Sequence, residues 1–298
     1  MAGSGLAPPL TIATARDRIR EQCFRPSDTG RVGLEMEWHV YDRADLSRVV
    51  PLETLVEQTE ALGPLPNGSV ITFEPGGQLE LSAPPFAGVD AACDALAGDH
   101  DVVVAALAPL GLCLVATGID SVRAPYRQLH HPRYDAMEAF FDLDGRAGRR
   151  MMCRTAALQV NIDPGDATDG DRRWRLAHRI GPALSAAFAT SPVAEGEPTG
   201  WASTRLATWF DIDPSRTAAV PGGPEEWVSY ALDANVLLMR RGGEMVPLQE
   251  RLSFAAWIRS RSRASTSKAF ASASETASSS TTSQASRRFP RSATPMPS

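Results

Sequence analysis

R-V-G-L-E-M-E-W-H-V-Y-D, Arg31 to Asp42, decides the fold. Its residues alternate: Val32, Leu34, Met36, Trp38 and Val40 share one parity, and Gly33, Glu35, Glu37, His39 and Tyr41 share the other. A period of two marks a β-strand, whose successive side chains point to opposite faces of a sheet. One face is apolar and packs on a core, while the other carries two carboxylates and an imidazole. Acids spaced i, i+2 on one strand stand close enough to repel each other. Water relieves that repulsion on an exposed strand; a recessed strand needs a cation. Taken alone, the stretch also fits the solvated face of an edge strand.

Two later stretches repeat the design. Residues 70–82 read V-I-T-F-E-P-G-G-Q-L-E-L-S, with Ile71, Phe73, Leu79 and Leu81 opposing Thr72, Glu74, Gln78 and Glu80. Pro-Gly-Gly interrupts the ladder as a bulge or tight bend, and Glu74 and Glu80 keep the same parity. Residues 151–163 read M-M-C-R-T-A-A-L-Q-V-N-I-D, with Ala156, Leu158, Val160 and Ile162 opposing Thr155, Gln159, Asn161 and Asp163. Helical patterns flank these strands at residues 11–24, 51–62, 88–110, 134–143, 171–190 and 224–231, and residues 112–119 and 235–239 suit further strands. His130 and His131 fall in a loop, where adjacent histidines do not both face one ion from regular structure.

The 298 residues can bury a large core, and 43% hydrophobic with 22% charged content is ordinary for a soluble globular chain. A net charge of −5 offers no broad basic surface for nucleic acid. Cys23, Cys93, Cys113 and Cys153 have no C-x-x-C spacing and read as reduced, mostly buried thiols. The N-terminus lacks the charged and apolar regions of a signal peptide, and no apolar run is long enough to span a membrane, so a cytoplasmic protein is expected. From residue 259 the text turns Ser- and Arg-rich: the last 39 residues hold 13 serines and no Leu, Val, Ile, Gly, Tyr or Trp. Such a segment cannot bury enough apolar surface to offset its ordering entropy, so 259–298 is expected to be disordered.

If the three strands lie in one sheet with aligned polar faces, Glu35, Glu37, Glu74 and Glu80 converge. Hard divalent cations resolve the resulting repulsion, and an all-oxygen ligand set favours Mg²⁺ or Mn²⁺ over zinc. Magnesium so held retains waters and recruits phosphate oxygens, which points on to a nucleoside triphosphate. Lys268, the only lysine, lies in the tail, so no phosphate-binding G-x-x-x-x-G-K-[ST] loop exists. H-E-x-x-H and G-x-S-x-G are also absent. A glycosidase-like acid pair stays open but uses only two of the four acids.

G-L-E-M-E-W (33–38), F-E-P-G-G-Q-L-E-L-S (73–82), R-T-A-A-L-Q-V-N-I-D (154–163) and R-L-A-T-W-F-D-I-D-P-S-R-T (205–217) together resemble the glutamate–cysteine ligases of the plant-like and ergothioneine-pathway branch. The resemblance covers residues 15–258 and implies an α+β fold: a glutamine-synthetase-like curved, mainly antiparallel sheet with helices on its outer face, in a catalytic domain over 11–258. It implies that Mg·ATP phosphorylates the γ-carboxylate of L-glutamate and that the amine of L-cysteine attacks to give γ-glutamylcysteine. On the same footing Glu35, Glu37, Glu74 and Glu80 are metal candidates and Thr155, Gln159 and Asn161 line the nucleotide and substrate pocket. Arg205 holds a substrate carboxylate. A different acceptor amine, or a fragment that only binds glutamate or metal, are the rival readings. The family's later R-x-x-L-E-x-R-type block is missing here, so the expectation is a truncated or out-of-frame chain that folds poorly alone and makes no product.

Overall fold

A computed structural model describes residues 10–28, 30–220 and 222–261. The first half runs α1 (Ile12–Cys23), β1 (Arg31–Asp42), α2 (Leu52–Glu60), β2 (Val70–Phe73), β3 (Leu79–Ser82), β4 (Phe86–Ala87), α3 (Val89–Leu107) and β5 (Leu112–Val115). The second runs α4 (Pro132–Phe141), α5 (Ala147–Arg154), β6 (Leu158–Ile162), α6 (Gly170–Ala187), β7 (Val193–Ala194) and β8 (Glu197–Pro198). It continues through α7 (Thr204–Phe210), α8 (Pro214–Thr217), α9 (Pro224–Asp233), β9 (Leu238–Arg241) and β10 (Glu244–Pro247). Residues 16–254 form one compact unit. The described part of a second unit comprises residues 10–15 and 255–261, both helical apart from residues 10 and 11.

β1 is long enough to pair with two strands along each edge. On one edge β3 lies against residues 35–38 and β4 against Arg31 and Val32; on the other β6 lies against 32–36 and β5 against 39–42. β2 closes a hairpin on β3, and every one of these ladders is antiparallel. The result is an α+β fold around an open, mainly antiparallel sheet. The even-numbered β1 residues Val32, Leu34, Trp38 and Val40 join Leu79 and Leu81 in a core closed by Leu55 of α2 and Leu96, Val103 and Leu107 of α3. Burial of that apolar face drives the alternation read from the sequence.

The structure departs from the sequence reading at several points. Residues 151–154 are not strand but the last turn of α5. The Thr155 hydroxyl donates to the Met151 carbonyl at 2.7 Å and closes that turn before the chain extends. The strand expected from Asn235 begins at Leu238, because Asn235 donates to Asp213 at 3.1 Å and its amide to Ser215 Oγ at 3.0 Å, tying it to the start of α8. A β9–β10 hairpin follows across Gly242 and Gly243, both at positive φ. Residues 259–261, expected to be disordered, end a helix over 254–261 that the Ala-Ala-Trp-Ile run favours. The rest of the expected tail lies outside the described residues. Cys23 and Cys93 are exposed on helix surfaces, so only Cys153 is fully buried among the four thiols.

Candidate functional site

The odd-numbered face of β1 changes character along its length. From His39 onward it is covered. The Tyr41 hydroxyl donates to Asp120 at 2.7 Å, Arg123 donates to the same carboxylate at 2.7 Å, and its guanidinium stacks over the Tyr41 ring at 4.2 Å. Arg154, only 1% exposed, donates to the Asp120 carbonyl and stands 3.3 Å from Glu195. Burial pulls the His39 imidazole down to about 4, so it is neutral near pH 7, and its Nε2 meets no partner. This buried polar block fixes one end of β1. The half-buried middle of the strand, residues 35–37, carries the acids.

Three of the four acids expected to converge do so. Carboxylate oxygens of Glu37, Glu74 and Glu80 all lie within 4.8 Å of one another, and among the described residues this is the only such group. Register explains it: Glu37 pairs directly with Glu80 across the β1–β3 ladder, and the β2–β3 hairpin brings Glu74 back beside them. The E-P-G-G-Q turn is held from both sides. Gln78 Nε2 donates to the carbonyls of Thr155 at 2.9 Å and Met152 at 3.3 Å, while Gln128 receives Leu52 N at 2.9 Å and donates to the Gly76 carbonyl at 3.1 Å. Gly76 is required here because a Cβ would sit 2.1 Å from the Cys153 carbonyl oxygen. Gly77 supplies a φ of +85°.

Each carboxylate has a distinct environment. Glu37 accepts the Ala157 amide at 2.9 Å and faces the Gln159 amide at 3.4 Å. Burial, reinforced by the charges of Glu74 and Glu80, pushes its carboxyl up to about 7, against smaller opposing effects of the Ala157 hydrogen bond and the Arg205 charge. Burial and Glu80 likewise raise Glu74. Glu80 accepts the Thr72 hydroxyl at 2.6 Å. Carboxylates opposed across a six-coordinate magnesium stand about 4 Å apart, so small side-chain shifts bring these three onto one ion. A donor set of half-buried, mutually repelling oxygens fits a hard divalent cation.

Glu35 does not join this cluster; its Oε1 accepts the Asn161 side-chain amide at 3.2 Å. Gln159 and Asn161 are exposed on β6 as register partners of Glu35 and Gly33, and their amides reach diagonally to Glu37 and Glu35. Thr155 is buried, and its hydroxyl is used within α5, so it supports the hairpin through its carbonyl rather than presenting a side chain. Arg205 comes from α7, whose N-cap Ser203 accepts the Leu206 amide at 3.2 Å. Its guanidinium lies 5.6 Å over the Trp209 ring, its Nε is buried without a partner, and its charge acts on Glu37. Burial holds its pKa below the usual arginine value. Sequence reasoning missed Arg133 and Tyr134. The Arg133 charge lowers Glu74, and burial together with Glu74 raises the Tyr134 phenol. The only sequence signal was a Pro132 that starts α4 at that loop.

Comparison with known proteins identifies relatives of the chain. A profile for glutamate-cysteine ligase family 2 matches residues 31–274. The glutamate–cysteine ligase EgtA of Mycobacterium tuberculosis is 43% identical over 235 residues, covering 76% of this chain and 54% of the relative. That of Mycolicibacterium smegmatis is 39% identical over 268 residues, covering 87% and 63%. A chloroplastic glutamate–cysteine ligase of Arabidopsis thaliana is 31% identical over 202 residues, covering 65% of this chain and 39% of the relative. The chain thus spans about half of the Mycobacterium tuberculosis relative's length.

Proposed function

The chain belongs to glutamate-cysteine ligase family 2, and on that premise we propose that it takes part in ATP-dependent joining of the γ-carboxylate of L-glutamate to the amine of L-cysteine. The product is γ-glutamylcysteine, destined for ergothioneine assembly. The observation that carries this reading is Glu37, standing beside two further acids and within the field of one arginine at the half-buried middle of an otherwise buried strand. Glu37, Glu74 and Glu80 would hold Mg²⁺, or Mn²⁺ in its place, and Glu35 extends the acidic surface along β1. A cation held by these carboxylates would supply positive charge against the phosphates of a nucleotide during phosphoryl transfer.

The chain's own residues do the positioning. Arg205 presents a planar, permanently charged fork beside Glu37, suited to the carboxylate of an amino acid. Its stacking on Trp209 and its burial restrict the rotamers it must otherwise lose on binding. Gln159 and Asn161 present amides from β6, next to the acids, to polar groups of nucleotide or substrate. The reaction belongs in the cytoplasm, where ATP and reduced cysteine are available; among the described residues no helix is long and apolar enough to cross a membrane.

The test is a product assay. The protein, alone and mixed with the part of the Mycobacterium tuberculosis relative that it does not match, receives isotope-labelled L-glutamate, L-cysteine, ATP and Mg²⁺. Metal-dependent γ-glutamylcysteine supports the reading. Ligation to another amine in preference to cysteine reassigns the acceptor, and no ligation product from either preparation overturns the reading.

A further inference from the structure

β6 is a core strand without a cover. Its Leu158, Val160 and Ile162 are register partners of Met36, Leu34 and Val32, so they share the apolar face of the sheet. Leu34 and Val32 are only 4% and 7% exposed, whereas Leu158, Val160 and Ile162 are 54%, 57% and 59% exposed. β6 pairs with β1 alone among the described residues, which leaves the N–H and C=O groups of its other edge without a ladder. Such an edge invites a further strand.

α6 shows the same feature. None of its residues is buried, and Leu176, Ile180 and Leu184, spaced four apart on one stripe, face solvent with Phe188 just beyond. A groove of about 370 Å³ lies between the two elements, lined by Ile162 of β6, Trp174 and Ala177 of α6, and Phe24. The strand face and the helix stripe each expose a row of large apolar side chains, which the isolated apolar residues of an ordinary surface do not.

We propose that the free edge of β6 and the exposed stripe of α6 receive a strand-bearing polypeptide of the kind the longer family members carry in the part of their chains that this sequence does not match. That unmatched part is large, since the match covers 54% of one mycobacterial relative and 63% of another. Val160 and Ile162, in register with buried Leu34 and Val32, mark an interior face, and obligate interfaces resemble a domain core cut in two. The incoming strand pairs along residues 158–162 and lays apolar residues over Val160 and the groove. The inference rests on family membership and not on the ligase reading, and its test reads backbone protection rather than activity.

The experiment is hydrogen–deuterium exchange at residues 158–162. Mixing with the separately produced unmatched part of the Mycobacterium tuberculosis relative should slow exchange there by about tenfold or more. Val160→Asp should abolish the slowing without changing the thermal transition of the chain alone, because Val160 is already exposed. The intact relative provides an arm independent of whether the separate piece folds: its strand aligned with residues 158–162 should be protected. Exchange in the intact relative as fast as in this chain overturns the proposal. So does protection of this chain that rises with its own concentration alongside a doubled mass, which makes a second copy the occupant.

Discussion

Glu37 and Glu80 face each other as direct partners across the antiparallel β1–β3 ladder. Like charges at such a position destabilise a sheet, and Glu74 adds a third within 4.8 Å. The Ala157 amide, the Thr72 hydroxyl and the Arg205 charge offset part of the repulsion. The remainder shows in the Glu37 carboxyl, pushed up to about 7 by burial and then by its two acidic neighbours. A purely structural sheet gains nothing from this arrangement; a cation site does.

The hairpin that carries Glu74 depends on a glycine. A Cβ at position 76 meets the backbone oxygen of Cys153 at 2.1 Å, and backbone cannot swing aside as a side chain does. Gly76→Ala should therefore destabilise the protein by about 1–3 kcal/mol, measured by urea denaturation, and should weaken divalent-metal binding by displacing Glu74. Unchanged stability and metal affinity contradict the close approach.

Arg205 is expected to act on the substrate carboxylate rather than on the fold. Removing a charged hydrogen-bonding partner costs about 2–5 kcal/mol, so Arg205→Ala should raise KM for glutamate more than tenfold while KM for ATP moves little. Steady-state kinetics in the ligase assay separate the two. An unchanged glutamate KM reassigns Arg205 to countering Glu37 alone.

Asp120 anchors the buried end of β1. Burial raises its pKa, but hydrogen bonds from the Arg123 amide, Tyr41 and the Val122 amide, with the Arg123 charge, outweigh that and hold it below the usual aspartate value. A carboxyl depressed in the fold contributes stability above its unfolded pKa of about 4, and that stability is lost as pH falls through the folded value. Asp120→Asn should be less stable than wild type at pH 7, with the gap closing below pH of about 4. Thermal unfolding across pH checks this; a gap that widens toward acid contradicts it.

How much of this was legible in the sequence follows from what each signal reports. Alternation at 31–42 and the shared parity of Glu74 and Glu80 are local, and a period-two pattern survives folding because one face must be buried. Which acids meet depends on register, and the Glu37–Glu80 pairing put Glu35 opposite Ser82 instead. Met151–Arg154 carry helix-competent residues whose strand-like alternation was coincidental until Thr155 closed the turn. Arg133 and Tyr134 reach Glu74 only through a long-range fold. The burial of Arg154 and His39 was invisible for the same reason: it comes from Asp120 and its neighbours, roughly eighty positions from β1.

The central claim is that Glu37, Glu74 and Glu80 form a divalent-cation site, and the most direct measurement is a Mn²⁺ titration followed by electron paramagnetic resonance. Wild-type protein should bind Mn²⁺ at pH 8, with Mg²⁺ competing. Binding should weaken as pH falls through about 7, where Glu37 takes up its proton. Glu37→Gln should weaken binding by about tenfold or more, the loss of at least one pK-unit equivalent of interaction, while Glu60→Gln, an exposed change on α2, should leave it unaltered. Equal Mn²⁺ affinity in wild type and Glu37→Gln, or affinity that rises toward acid pH, contradicts the account.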